Sequence, residues 1–118
     1  MAEAALASVR SFRESVHLLA GGSSKGADFA ALARGICDAT VVTVALVGEE
    51  AERISAALTE TGFRGDVAIF ESFDEAFRTL AGRARSGDVV LLAPACASFG
   101  MFENYKDRGK QFRHLALA

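Results

Sequence analysis

A doubly wound α/β domain is the fold this sequence predicts, and two observations predict it. The first is a set of four short apolar runs, "VHLLA" (16–20), "VVTVALV" (41–47), "VAIF" (67–70) and "VVLLA" (89–93). They are rich in β-branched residues and lack the polar alternation of a sheet with one wet face, so they read as central parallel strands. The second is what lies between them. Ala51, Ile54 and Leu58 in one intervening segment, and Phe73, Ala76, Phe77, Leu80 and Ala84 in another, recur at the spacing of a single helix face. Strand and helix alternating at this pitch are joined by right-handed crossovers, which put helices on both faces of a parallel sheet.

Taken in order, a helix around residues 3–12 precedes the first strand. A glycine-rich connection, "GGSSKGAD" (21–28), then leads to a helix that begins "DFAALAR", with Asp28 placed to cap it. The second strand, the Ala51 helix, the third strand and the Phe73 helix follow. The fourth strand runs into "PACAS", and a long last helix follows Ser98. The expected architecture is a Rossmann-like, mainly parallel sheet of about four strands in one domain spanning residues 1–118, with no internal repeat and no linker.

Composition narrows the function classes. At 118 residues, 51% hydrophobic, with 11 Gly and 1 Pro, the chain is long enough for a real core and is not a disordered or low-complexity sequence. A net charge of -2 without a run of like charges gives no general attraction to nucleic acid or anionic lipid. Cys37 and Cys96 stand far apart and outside any CxxC, and His17 and His114 are isolated, so no metal-ligand spacing is present. The two cysteines read as buried thiols of a reducing cytoplasm. No apolar run is long enough to span a bilayer and nothing reads as a signal peptide, so a soluble cytoplasmic protein is expected.

Ligands of open parallel sheets gather at the carboxyl ends of the strands, where strand order reverses. Two connections there are unusual. In "GGSSKGAD", Gly21 and Gly22 permit tight backbone turns and Lys25 supplies a cation, a combination that can hold an anion on backbone N–H groups and an ammonium. It is neither GxxxxGK[ST] nor GxGxxG. On spacing alone it reads more simply as a glycine turn with a solvated lysine. In "LLAPACASFGMFENYKDRG" (91–109), small residues let a helix N-terminus approach the strand end, and Ser98 can either cap that helix or donate a hydrogen bond to an anion.

The segment "LLAPACASFGMFENYKDRGKQF", with "VHLLAGGSSKGADF" upstream, resembles the carboxyl-terminal domain of the Mur ligases, specifically those that add D-glutamate. The likeness runs from about Glu3 to Leu115 in the same order and with similar spacing. It implies a ligase that uses ATP and Mg to activate the carboxylate of UDP-N-acetylmuramoyl-L-alanine as an acyl phosphate, which the amine of D-glutamate attacks. The third domain of such ligases binds D-glutamate and closes on the central ATPase domain. Carried over by motif, Lys25 pairs with a D-glutamate carboxylate. Ser98 binds the other end of that substrate or its second carboxylate through its hydroxyl, with the backbone N–H at Phe99 assisting, and Tyr105 lines the pocket.

The resemblance also sets expectations of incompleteness. No Walker A loop or magnesium site is present, so the chain is expected to be a piece of the third domain, short at its amino end, that neither binds ATP nor catalyses alone. Gly100 stands where the family usually has Asp, Ala93 where Ser is common and Ser24 where Asp or Gly is common. The alternative is a stand-alone α/β binding or regulatory module without ligase activity.

Overall fold

The computed structural model describes residues 9–21, 29–92 and 113–116. The elements are β1 (Val16–Gly21), α1 (Phe29–Asp38), β2 (Val41–Val47), α2 (Ala51–Thr61), β3 (Asp66–Ile69), α3 (Phe73–Arg83), β4 (Val89–Leu92) and β5 (Arg113–Ala116). All four strand pairings are parallel, and the order across the sheet is β3-β2-β1-β4-β5. The first two crossovers step outward from β1 and the third returns over β2 and β1 to β4. Right-handed crossovers of opposite travel put α1 and α2 on one face and α3 on the other. The contacts agree: α1 packs on α2, whereas α3 packs on β2 and β1.

Each helix forms where apolar spacing and local chemistry coincide. α2 buries Ala51, Ile54 and Leu58 and stops at Gly62, whose left-handed φ of 87° lets its N–H close onto the carbonyls of Leu58 and Thr59. α3 is capped by Ser72, whose side chain accepts from the Glu75 N–H at 3.1 Å. Asp74 and Glu75 occupy its first turn and Arg83 its last, as the helix dipole favours. Phe73, Ala76, Phe77 and Leu80 form its buried face, and Ala84 is its C-cap. α1 buries Leu32, Ala33, Gly35 and Ile36.

The core is the middle of the sheet with both helical layers. β4 is buried throughout and β1 nearly so, which explains why their runs in the sequence are almost wholly apolar. The third run is different. β3 is an edge strand rather than a central one, three of its four residues are exposed, and Ile69 keeps 47% of its surface. Its apolar composition resembles that of the inner strands, but the third strand of a doubly wound sheet that starts from its middle lies outermost.

Other expectations also change. The sheet has a fifth strand, β5, where the sequence reading carried only the last helix; the residues between Leu92 and Arg113 lie outside the described ones. The helix expected over 3–12 is over by Arg10, where the chain turns; residues 1–8 lie outside the described ones. Cys37 is half-buried on α1 instead of sitting in the core, and burial together with the neighbouring Asp38 raises its thiol pKa. Cys96 and His114 give no structural test, since Cys96 and the side chain of His114 lie outside the described residues. Among the described residues no helix is long and apolar enough to cross a membrane.

Candidate functional site

β1 and β4 are hydrogen-bonded neighbours, paired from Val16↔Val89 to Leu19↔Leu92. Sequence order reverses between them: β2 and β3 extend to one side, β4 and β5 to the other. The connections that leave β1 after Gly21 and β4 after Leu92 therefore start from adjacent strands, which lie roughly 4.8 Å apart, with Gly21 two residues beyond the Leu19 that pairs with Leu92, at the ligand-accepting edge of this fold. The expectation that these two strand ends are neighbours is met by the pairing itself. Lys25, Ser98, Phe99 and Tyr105 all lie outside the described residues, as does the proposed cap at Asp28.

What is described is how the first connection is anchored. Gly21 has φ +152°, and a Cβ built on it would run into the Val47 carbonyl at the end of β2. Only glycine lets β1 lie so close to its neighbour at the point where the chain turns away. At the far end of the connection, the Phe29 ring begins α1 beneath the Arg53 guanidinium, whose Cζ is 5.0 Å from the ring centroid. Arg53 is itself held by Glu50, Nη1 to carboxylate at 2.6 Å. The glycine was legible as a turn residue, and Glu50 with Arg53 has the i,i+3 spacing of a helix pair, but their meeting with Phe29 had no signature because Phe29 opens a different helix.

A polar chain missed by the sequence reading lies at the opposite, amino end of the sheet. His17 is buried on β1 with Nε2 2.9 Å from the Asp88 carboxylate and Nδ1 3.2 Å from the Thr43 hydroxyl. Asp88 also accepts from the Arg85 N–H at 2.9 Å. An ionised carboxylate only accepts, so Nε2 carries the proton, and in a neutral ring Nδ1 takes the hydroxyl hydrogen of Thr43. The sign was available: His17 and Thr43 are polar residues inside otherwise apolar strands, and parallel pairing sets them side by side. This chain ties β1, β2 and the entry to β4 together, remote from the ligand edge. Among the described residues no group of three or more His, Cys, Asp or Glu side chains could hold a metal ion.

Strand order, crossovers and the paired ends of β1 and β4 define a doubly wound α/β domain of Rossmann-like type with its ligand edge at the strand-order reversal. The family model "Mur ligase, glutamate ligase domain" matches residues 1–96, and the chain belongs to that family. It is 43% identical over 106 residues to the UDP-N-acetylmuramoylalanine--D-glutamate ligase of Chromobacterium violaceum, covering 90% of this chain and 23% of that protein. Proteins of the same name from Pelotomaculum thermopropionicum and Ralstonia nicotianae are 38% and 41% identical over 116 and 115 residues. Each alignment covers 98% of this chain, but only 25% and 22% of those proteins. The chain thus spans about a quarter of the length of the curated relatives it matches.

Proposed function

We propose that this chain is the amino-acid-binding domain of an ATP-dependent ligase that adds D-glutamate to UDP-N-acetylmuramoyl-L-alanine in peptidoglycan precursor synthesis in the cytoplasm. The observation that carries this reading is the β1–β4 pairing. It starts "GGSSKGAD" and "PACAS" from adjacent strand ends, so both can reach one small ligand. Family membership supports the reading independently.

The chemistry suits a dicarboxylic amino acid. Lys25 pairs with one carboxylate, while the Ser98 hydroxyl and the Phe99 N–H donate to the other, with Tyr105 against the chain between them. Charge-assisted bonds at both ends fix the molecule and leave its amine free to attack an activated carboxyl group. ATP and Mg supply that activation in the complete ligase by forming an acyl phosphate, and the residues for it belong to the ATPase domain on which this domain closes. Alone, the chain holds one substrate and makes no bond.

The test is kinetic, in the complete ligase that carries this domain. Lys25→Ala and Ser98→Ala each raise the apparent KM for D-glutamate about ten- to a hundred-fold, the loss of one charge-assisted hydrogen bond. The KM for ATP stays near its parent value. If Ser98 serves only as a helix cap, Ser98→Ala instead costs about 1 kcal/mol of stability and leaves D-glutamate kinetics unchanged. Unchanged kinetics in both variants would falsify the assignment.

A further inference from the structure

β3 is the outer strand of the sheet, and among the described residues nothing pairs with its free edge. Which backbone groups that edge presents follows from the ladder. The Phe70 N–H bonds to the Leu46 carbonyl while Leu46 stands opposite Ile69, so the even-numbered residues of β3 bond toward β2. Val67 and Ile69 therefore turn their N–H and C=O groups outward. Ile69 is also, with Val42, one of the two large apolar side chains that stay exposed among the described residues. The edge is electrically polar as well. Just before the strand stands Arg64, exposed, and at its start the Asp66 carboxylate is already met by the Arg83 guanidinium at 2.7 Å. Just after the strand come the exposed Glu71 and, in the first turn of α3, Asp74 and Glu75, with Arg78 offsetting Asp74 at 3.0 Å. The strand is thus positive where it starts and negative where it ends.

We infer that the free edge of β3 is a self-association surface, taken by β3 of a second copy of this chain laid antiparallel across a two-fold axis at Ala68. Parallel pairing would set like-charged ends together. Antiparallel pairing sets the Arg64 end of each copy beside the end of the other that carries Glu71 and Glu75, twice by symmetry. The register follows from the outward groups. With Val67 opposite Ile69 of the second copy, both outward residues of each strand find a partner within the other strand, and each such pair exchanges both of its N–H···O bonds. The same register lays the Val67 side chain against the exposed Ile69. Ala68 meets its own copy across the axis as a close pair without backbone bonds, where a small side chain fits. A strand this short makes few bonds, so the dimer is concentration-dependent.

Sedimentation equilibrium of the 118-residue chain over a concentration series tests the pairing, and a monomer–dimer equilibrium is the expected result. Ile69→Lys puts a charge into the paired edge and leaves the chain monomeric, while its thermal melt stays at the parent's. Arg64→Glu raises the dissociation constant about ten-fold, because two rim attractions become repulsions. Glu75→Lys acts in the same direction, and the two substitutions together restore most of the affinity. Ala68→Cys, in a Cys37→Ser and Cys96→Ser background, oxidises to a disulfide-linked dimer, since residues on the axis face each other. A chain that stays monomeric at millimolar concentration overturns the inference, and so does a dimer that Ile69→Lys leaves intact. Association that runs on past the dimer overturns it too, because two-fold pairing closes. If Ile69→Lys unfolds the chain, Ala68→Cys decides alone, and its failure to cross-link in the folded protein overturns the pairing.

Discussion

Removing the Asp88 carboxylate tests whether the buried polar chain holds the amino end of the sheet together. The carboxylate accepts from the His17 ring and from the Arg85 N–H, both at 2.9 Å. Arg85 is exposed and can take water in exchange, but the His17 side chain is only 5% exposed and Nε2–H has no such recourse. Asp88→Ala thus loses a charge-assisted bond and strands a buried donor, at a cost of roughly 2–4 kcal/mol. Unfolding entropy of roughly 2.1 cal/mol/K per residue gives this chain about 0.25 kcal/mol/K, so Tm falls by about 8–16 °C. Thermal unfolding at pH 7 followed by circular dichroism measures it; a drop under about 2 °C refutes the reasoning, because the His17 donor would then have been satisfied by solvent. The pH profile gives a second reading. Burial pushes the Asp88 carboxyl up, but the Arg85 N–H, the bond from His17 and the nearby charges of His17 and Arg85 outweigh it and hold the pKa below its ordinary 3.8. A carboxyl whose folded pKa is depressed stabilises the fold above its unfolded value and loses that contribution as pH falls through the folded one. Below about pH 4 the parent therefore loses stability more steeply than Asp88→Asn.

Two further substitutions probe the ligand edge and the core. Gly21→Ala drives a methyl group into the Val47 carbonyl at a positive φ, which costs about 2–4 kcal/mol and moves β1 away from β2. The same thermal melt measures the loss, and an unchanged Tm means that the two strand ends are not in contact. Among the described residues Phe77 is the largest fully buried side chain, with its ring 6.3 Å from that of Phe73, and Phe77→Ala costs about 3–5 kcal/mol in urea titration. A loss below about 1 kcal/mol shows that the face of α3 repacks around the gap.

The fold class was legible because buried parallel strands have a one-letter signature: Val89–Leu92 has no wet face to encode, and "VVTVALV" exposes only Val42. The same signature could not separate an edge from a centre. β3 carries "VAI" yet lies outermost, since strand order is decided by which crossover returns across β1, a long-range fact that no local run contains. β5 escaped because the four residues Arg113–Ala116 include two polar ones directly after a stretch with helical spacing. At the candidate site, Gly21 was legible because its requirement is local to one backbone position. His17 with Thr43 could have been found by laying the two strands side by side, since each breaks an apolar run. Asp88 could not, because it meets His17 from a turn whose geometry the sequence does not specify, and Arg53 over Phe29 could not, because the two come from different helices.

The central place of β1 has a consequence for the chain as it is synthesised. β1 leaves the ribosome before β4, and one of its two hydrogen-bonding edges stays open until Val89–Leu92 emerge and dock, after two other strands and three helices have formed. During that interval an apolar strand with bare N–H and C=O groups faces outward, a ready template for β4 of another copy. Nascent chains crowded on one message would then exchange β4 segments and give intertwined dimers. A pause in translation just before Val89 would increase that exchange, and rapid delivery of β4 would suppress it.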